Sequence, residues 1–185
     1  GECRLYAKGA RNFVGLALRP NSTEVWATEN GRDWQGDDAP PDELNLLRDG
    51  SDYGWPFCQG KAKPDPEYRN AQRCAATVPS ALDIQAHSAP LGLTFYSGTE
   101  FPEEYRGDAF VAFHGSWNRA DKTGYKVVRI DFEMGQPKGV TDFLWGFLQD
   151  GDVSGRPVWV IEAPDGSLLV SDDEAGRLFR VEYVG

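Results

Sequence analysis

The 185-residue sequence has no long apolar run, one methionine, two histidines, three cysteines and too few basic side chains to balance its acidic ones. A membrane-spanning helix needs about 18 or more consecutive apolar residues, so none is expected, and no signal peptide is visible. Nineteen Lys and Arg against twenty-nine Asp and Glu leave a net charge of -10. Phosphate backbones and anionic membranes demand a basic footprint, which excludes a generic nucleic-acid or membrane-surface binder. The only histidines are His87 and His114, and no CxxC or HxxxH spacing occurs, which argues against zinc. A Gly-rich phosphate loop, a nucleophile elbow and a Cys/His dyad are also missing.

What is present is turn formers and rings. The chain carries 21 Gly, 12 Pro, 6 Trp, 7 Tyr and 10 Phe, a mixture that suggests short strands joined by elaborate loops. A strand–turn–strand phrase recurs three times. The first copy runs from Gly15 through a turn at Asn21-Ser22-Thr23 to Val25-Trp26-Ala27. The second starts at Gly92-Leu93-Thr94, continues through Asp108 to Phe113 and ends on Tyr125 to Ile130. The third starts at Val158, turns at Pro164-Asp165-Gly166 and ends on Gly176 to Val181. Pro-Asp-Gly is a strong hairpin turn signal. Units of about 40–45 residues built of antiparallel strands are the pattern of propeller blades. The expectation is an all-β chain forming part of a β-propeller rather than a β-sandwich.

Residues 51–91 break the pattern. Gly54-Trp55-Pro56, Lys63-Pro64-Asp65-Pro66 and Val78-Pro79 interrupt any regular strand, so this stretch is expected to be a long loop insertion within one domain, 1–185. About three blades remain, whereas closed propellers use roughly four to eight. Cys58 and Cys74 flank a polar, Pro-containing loop and are expected to close it with a disulfide, unless a cytosolic location keeps all three cysteines reduced. Cys3 then has no partner, and an odd Cys in an exported protein suggests an intermolecular bond or a free thiol.

Loops entering the first strand of each copy should converge on one face. Arg11-Asn12 precedes the first copy, His87 with Ser88-Ala89-Pro90 the second, and Arg156-Pro157 the third. An Arg offers a planar fork to a carboxylate, so Arg11, His87 and Arg156 together suit a small anionic ligand. His114-Gly115-Ser116-Trp117-Asn118-Arg119 follows an apolar strand, and Trp117 is placed either to stack on a flat ring or to fill an interblade loop. Glu29 to Asp38 is rich in oxygen ligands, in the manner of calcium loops, although such loops are often merely solvated. Asp150-Gly151-Asp152 resembles an EF-hand start, but Ile161 stands where the twelfth-position Glu is needed. Asn21-Ser22-Thr23 is a glycosylation sequon, of consequence only in a secreted eukaryotic protein.

Several phrases occur together and in order: Gly9-Ala10-Arg11-Asn12-Phe13-Val14-Gly15-Leu16, Ala27 to Arg32, Asp42-Glu43-Leu44-Asn45-Leu46 and Asp52-Tyr53-Gly54-Trp55-Pro56. With Ala86 to Leu93 and His114 to Arg119, the chain resembles the soluble PQQ-dependent sugar dehydrogenases, which include aldose sugar dehydrogenase, soluble glucose dehydrogenase and the sorbosone dehydrogenase-like proteins. The resemblance implies a six-bladed propeller of which this chain is the C-terminal half. It implies that Arg11 and Asn12 contact the quinone, that backbone carbonyls of Gly31 and Arg32 hold calcium, and that Arg156 lies near arginines binding the cofactor's carboxylates. The family's cofactor-binding Lys has no clean match, and His114 or Arg119 occupies its neighbourhood. In the family a His takes a proton from a sugar hydroxyl while hydride passes to the quinone. That His belongs to an earlier blade, so the catalytic residue is unassigned here.

Two functional expectations follow. One is the C-terminal half of a PQQ- and calcium-dependent oxidoreductase acting on a sugar or related alcohol, periplasmic or secreted, and inactive without its missing N-terminal blades. The other is a non-catalytic propeller-derived subunit of an exported assembly, tethered to another chain through Cys3.

Overall fold

The computed structural model describes residues 1–185. Strand accounts for 40% of the chain and helix for 4%. In chain order the strands are β1 (Phe13–Leu18), β2 (Val25–Glu29), β3 (Asp42–Leu47), β4 (Cys58–Gln59), β5 (Lys63–Pro64), β6 (Leu82–Ile84), β7 (Pro90–Phe95) and β8 (Ala109–Phe113). They continue with β9 (Lys126–Glu133), β10 (Gln136–Leu144), β11 (Leu148–Gln149), β12 (Asp152–Val153), β13 (Pro157–Glu162), β14 (Leu168–Asp172) and β15 (Arg177–Val181). One short helix, α1 (Ala71–Cys74), and a 3-10 turn at Glu103–Tyr105 complete the set.

Three antiparallel sheets carry the structure: β1-β2-β3-β6, β7-β8-β9-β10 and β13-β14-β15. Each begins with one copy of the repeated phrase, and the Pro164-Asp165-Gly166 turn closes the β13–β14 hairpin through Ala163 N–H to Ser167 O at 2.8 Å. The stretch 51–91 is not loop throughout. Its end supplies β6, which pairs with β3, and the opening residues of β7. The rest is the β4–β5 ribbon and α1, closed by a Cys58–Cys74 disulfide. The other cysteine, Cys3, is exposed and free.

The second strand of the middle sheet, β8, is buried on both faces. In the run Ala109-Phe110-Val111-Ala112-Phe113 every residue is buried, which is why the sequence shows no alternation there. Alternate side chains nevertheless go to opposite sides. Val111 and Phe113 join Trp26, Leu44, Phe95 and Ile130 in the core shared with the first sheet. Phe110 joins Tyr96, Val127, Val160, Leu168 and Val170 in the core shared with the third.

The recurrent glycine of the phrase has a steric cause. A Cβ on Gly15 would lie 2.2 Å from Leu91 O, and one on Gly92 would lie 2.6 Å from the Trp159 Cα. Only glycine lets the first strands of adjacent sheets approach so closely.

The disulfide spans 16 residues, and a loop of that length contributes about 3 kcal/mol by restricting the unfolded chain. A Cys58→Ser, Cys74→Ser double variant should lose roughly that much in urea unfolding. An unchanged midpoint would mean that the ribbon is held by its other contacts.

Candidate functional site

The loops before β1 and β7 and after β2 and β8 meet at one end of the strands. Between them lies a cleft of about 280 Å³, lined by Arg11, Asn12, Asn30, Gly31, Asp33, Asp42, His87, Ala89, Leu91 and the run Gly115 to Asn118. The antiparallel pattern explains the convergence: the start of each first strand and the end of each second strand fall at the same edge of their sheet. The sheets are also tied together at this point. Thr28 Oγ1 accepts from Gly15 N–H at 2.8 Å and donates to Leu91 O at 2.7 Å.

Arg11 is the cleft's cation. Its Nη1 donates to Asn30 O at 2.9 Å, and its Nη2 stands 3.7 Å from an Asp33 carboxylate oxygen. The guanidinium lies over the Trp55 ring, 5.6 Å from the centroid. His87 Nε2 lies 2.8 Å from Gly36 O. A carbonyl only accepts, so Nε2 carries the proton and Nδ1 is free to accept when the ring is neutral. Asp42 spans the two sheets' loops, accepting from Gly31 N–H at 2.8 Å and from Ala89 N–H at 2.9 Å. Burial raises its carboxyl to about 6 despite those donors.

The expected site residues separate into two groups. Arg11, Asn12, Gly31 and His87 face the cleft. Arg156, His114 and Arg119 stand behind or beside it. Arg156 donates to His114 O at 3.1 Å and to Gly115 O at 3.0 Å, so its fork is spent on the backbone of the cleft-lining loop. The His114 Nε2 pairs with Asp173 at 2.9 Å. Arg119 bonds Asp37 O and pairs with Asp38 at 3.1 Å, tying the loop after β8 to the loop after β2. The Arg32 side chain turns to Asp65 and Glu67, at 3.3 and 2.9 Å. Only its backbone and that of Gly31 bear on the calcium expectation, and neither carbonyl accepts a hydrogen bond within the protein.

Sequence reasoning missed a buried acidic pair beneath the cleft. In the β2–β3 register Glu29 lies directly opposite Glu43. Asn45 Nδ2 donates to both carboxylates, at 3.2 and 3.0 Å, and its Oδ1 is buried without a partner. Glu29 also accepts from Arg11 N–H at 2.5 Å, while Glu43 accepts from Gly60 N–H at 2.5 Å. Burial, followed by the charge of Glu43, pushes Glu29 up to about 8, and burial raises Glu43 as well. Glu43 and Asn45 alternate with Leu44 and Leu46, the pattern of a strand with one wet face. They are dry because residues 53–60, with Tyr53, Cys58 and Gly60, cover that face. The signal that could have found them is the match of acids at adjacent strand positions under a disulfide-closed excursion.

Packed antiparallel sheets with a polar, cation-bearing cleft where their loops meet define a β-sheet domain with room for a small polar molecule at one end. A family model described as TrAA12-like matches residues 2–184, and the chain belongs to that family. An uncharacterized protein of Borreliella burgdorferi is 39% identical over 97% of this chain and 48% of its own length. A pyrroloquinoline quinone-dependent pyranose dehydrogenase of Coprinopsis cinerea is 29% identical over 63% of this chain and 18% of its own length. Among solved structures, a calcium structure of the Trichoderma reesei carbohydrate-active enzyme of family AA12 superposes with a TM-score of 0.80 at 23% identity. That match covers 96% of this chain and 53% of the other. The chain thus spans about half the length of the Borreliella relative. Its relatives include PQQ-dependent sugar dehydrogenases, and its structural neighbours include the PQQ domain of the Coprinopsis cinerea pyranose dehydrogenase.

Proposed function

We propose that this chain is part of a PQQ- and calcium-dependent dehydrogenase of sugars or related alcohols, completed as a six-bladed propeller by further blades. The observation that carries the reading is the cleft itself. It sets Arg11 and His87 beside Gly31, whose carbonyl, like that of the next residue, Arg32, accepts no hydrogen bond within the protein. A tricarboxylate quinone needs a cation and N–H donors, which Arg11, Asn12 and Asn118 offer. The buried Asn30 Oδ1, without a partner, adds an acceptor at the cleft wall. Free carbonyls suit a hard cation. No group of three or more His, Cys, Asp or Glu side chains is arranged to hold a metal, so backbone oxygens and the ligand itself would carry the coordination.

When bound, the quinone supplies the two-electron redox chemistry and calcium polarises it. The chain's own part is positioning. Arg11 neutralises anionic charge in the cleft, Asp42 fixes Gly31 relative to Ala89, and Arg156 with Arg119 braces the loop from Gly115 to Asn118. His114 and Arg119 serve as loop supports in place of a cofactor-binding Lys.

The disulfide fits an oxidising, periplasmic or secreted location. Leu16 and Leu18 on the first sheet and Ile161 and Leu178 on the third are exposed, which fits blades packing on either side. Cys3 is accessible for tethering. The scaffold reading is not favoured, since it leaves the cleft's donors and open carbonyls without purpose. No helix is long and apolar enough to cross a membrane.

The test is dye-linked oxidation of a panel of aldoses by the complete protein reconstituted with PQQ and calcium. Reduction that depends on both additions is the expected result. No reduction of dye with any sugar, although PQQ is bound, overturns the dehydrogenase assignment.

A further inference from the structure

Two tryptophans stand at the mouth of the cleft with most of their surface in water. Trp34, in the loop after β2, is 81% exposed, and Trp117, in the loop after β8, is 66% exposed. Their rings meet edge to face, 5.5 Å between centroids with an interplanar angle of 82°. Large rings exposed side by side on a protein surface mark contact sites rather than packing. Trp117 lines the cleft, whereas Trp34 lies outside it.

The pair is held in place. Asn118 Nδ2 donates to Asp33 Oδ1 at 2.7 Å, joining the residues next to each ring. Arg119 pairs with Asp38 at 3.1 Å a few residues along the same two loops. His87 Nε2 lies 2.8 Å from Gly36 O, so the loop carrying Trp34 is anchored on its other side too. Trp34 itself takes a positive φ of 69°, a conformation that costs free energy in a bulky residue and persists where surrounding contacts impose it. The result is a fixed aromatic corner at the rim of a polar cleft, costing little ordering entropy when a ligand arrives.

We propose that Trp34 and Trp117 form a platform for a pyranose ring lying outside the cleft, so that the protein takes oligosaccharides in preference to single sugars. A pyranose presents a flat face of C–H groups and a rim of hydroxyls. The first suits an indole ring, and the second suits the hydrogen-bonding groups beside it. The strongly acidic chain disfavours an anionic occupant at an exposed rim, and the carboxamide–carboxylate pair Asn118 and Asp33 matches hydroxyls rather than charge. The inference rests on the sugar dehydrogenase reading and deepens it by naming the length of the substrate, and its two rings, Trp34 and Trp117, have no role in the cofactor reading.

The experiment is a titration of the protein with cellotetraose and with glucose, followed by tryptophan fluorescence and calorimetry, on the parent and on Trp34→Ala. PQQ binding is measured in parallel on both proteins. Cellotetraose should bind at least about tenfold more tightly than glucose, and Trp34→Ala should lose about fivefold or more for the tetrasaccharide. PQQ affinity should be unchanged by that substitution, because Trp34 lies outside the cleft. Equal affinity for the two sugars, or a Trp34→Ala protein that binds cellotetraose like the parent, overturns the platform. Tetrasaccharide binding that persists while PQQ fails to bind supports the platform and sinks the dehydrogenase reading instead, so the two failures are distinguishable.

Discussion

Arg11→Met should weaken PQQ binding by about 100-fold or more, the scale expected when a charge-assisted, two-pronged hydrogen-bonded pair is removed from a partly buried site. Methionine keeps an unbranched stem of similar length but removes the cleft's one cation, together with the guanidinium that lies over Trp55. The backbone N–H of residue 11 still reaches Glu29, so the loop before β1 should stay in place. Arg32→Met is the control. Its guanidinium is engaged by Asp65 and Glu67 on the disulfide-closed excursion, and its removal should change PQQ affinity by less than about threefold. Titration followed by the quinone absorbance reads both. An equal weakening in the two variants would mean that general positive charge, rather than the Arg11 fork, attracts the cofactor.

The second large effect concerns pH. Glu29 titrates near 4.5 when free and is raised to about 8 in the folded protein. A carboxyl whose folded value is raised favours folding fully below its unfolded value, and that contribution is lost as pH rises through the folded one. In chelator-containing buffer the melting temperature should therefore fall between about pH 5 and pH 8 as Glu29 is forced to ionise next to Glu43. Glu29→Gln keeps the shape and removes the charge. It should flatten the decline and stabilise the protein at pH 8 by on the order of 3 kcal/mol, while leaving it nearly unchanged at pH 4. Thermal melts at several pH values check this. Parallel curves for parent and variant would show that another group controls the decline.

Much of the scaffold is legible in the sequence because it repeats. Gly15 and Gly92 stand at equivalent places and relieve the same close approach between first strands. That equivalence is what brings Arg11 and His87 to one cleft. The same logic places Arg156 one step too near, since the third sheet's loop reaches only the back of the loop from His114 to Gly115. Strand β10 is hidden in the sequence because it is an outer edge. Its residues are mostly exposed, it contains Pro137 and Gly139, and it carries no apolar period. Strand β3 is hidden because Asp42, Glu43 and Asn45 are poor strand formers held by their neighbours. Their burial depends on a covering segment that local pattern does not encode. The Trp34–Trp117 corner joins residues far apart in chain order only through the two loops that Asn118 and Arg119 fasten together.

Calorimetric titration of PQQ into the protein, once in calcium and once in EDTA, bears on the cleft most directly. One equivalent should bind in calcium, and the affinity should fall by about tenfold or more when the cation at the Gly31 and Arg32 carbonyls is withdrawn. No binding in either buffer would contradict the assignment of this cleft to a quinone cofactor.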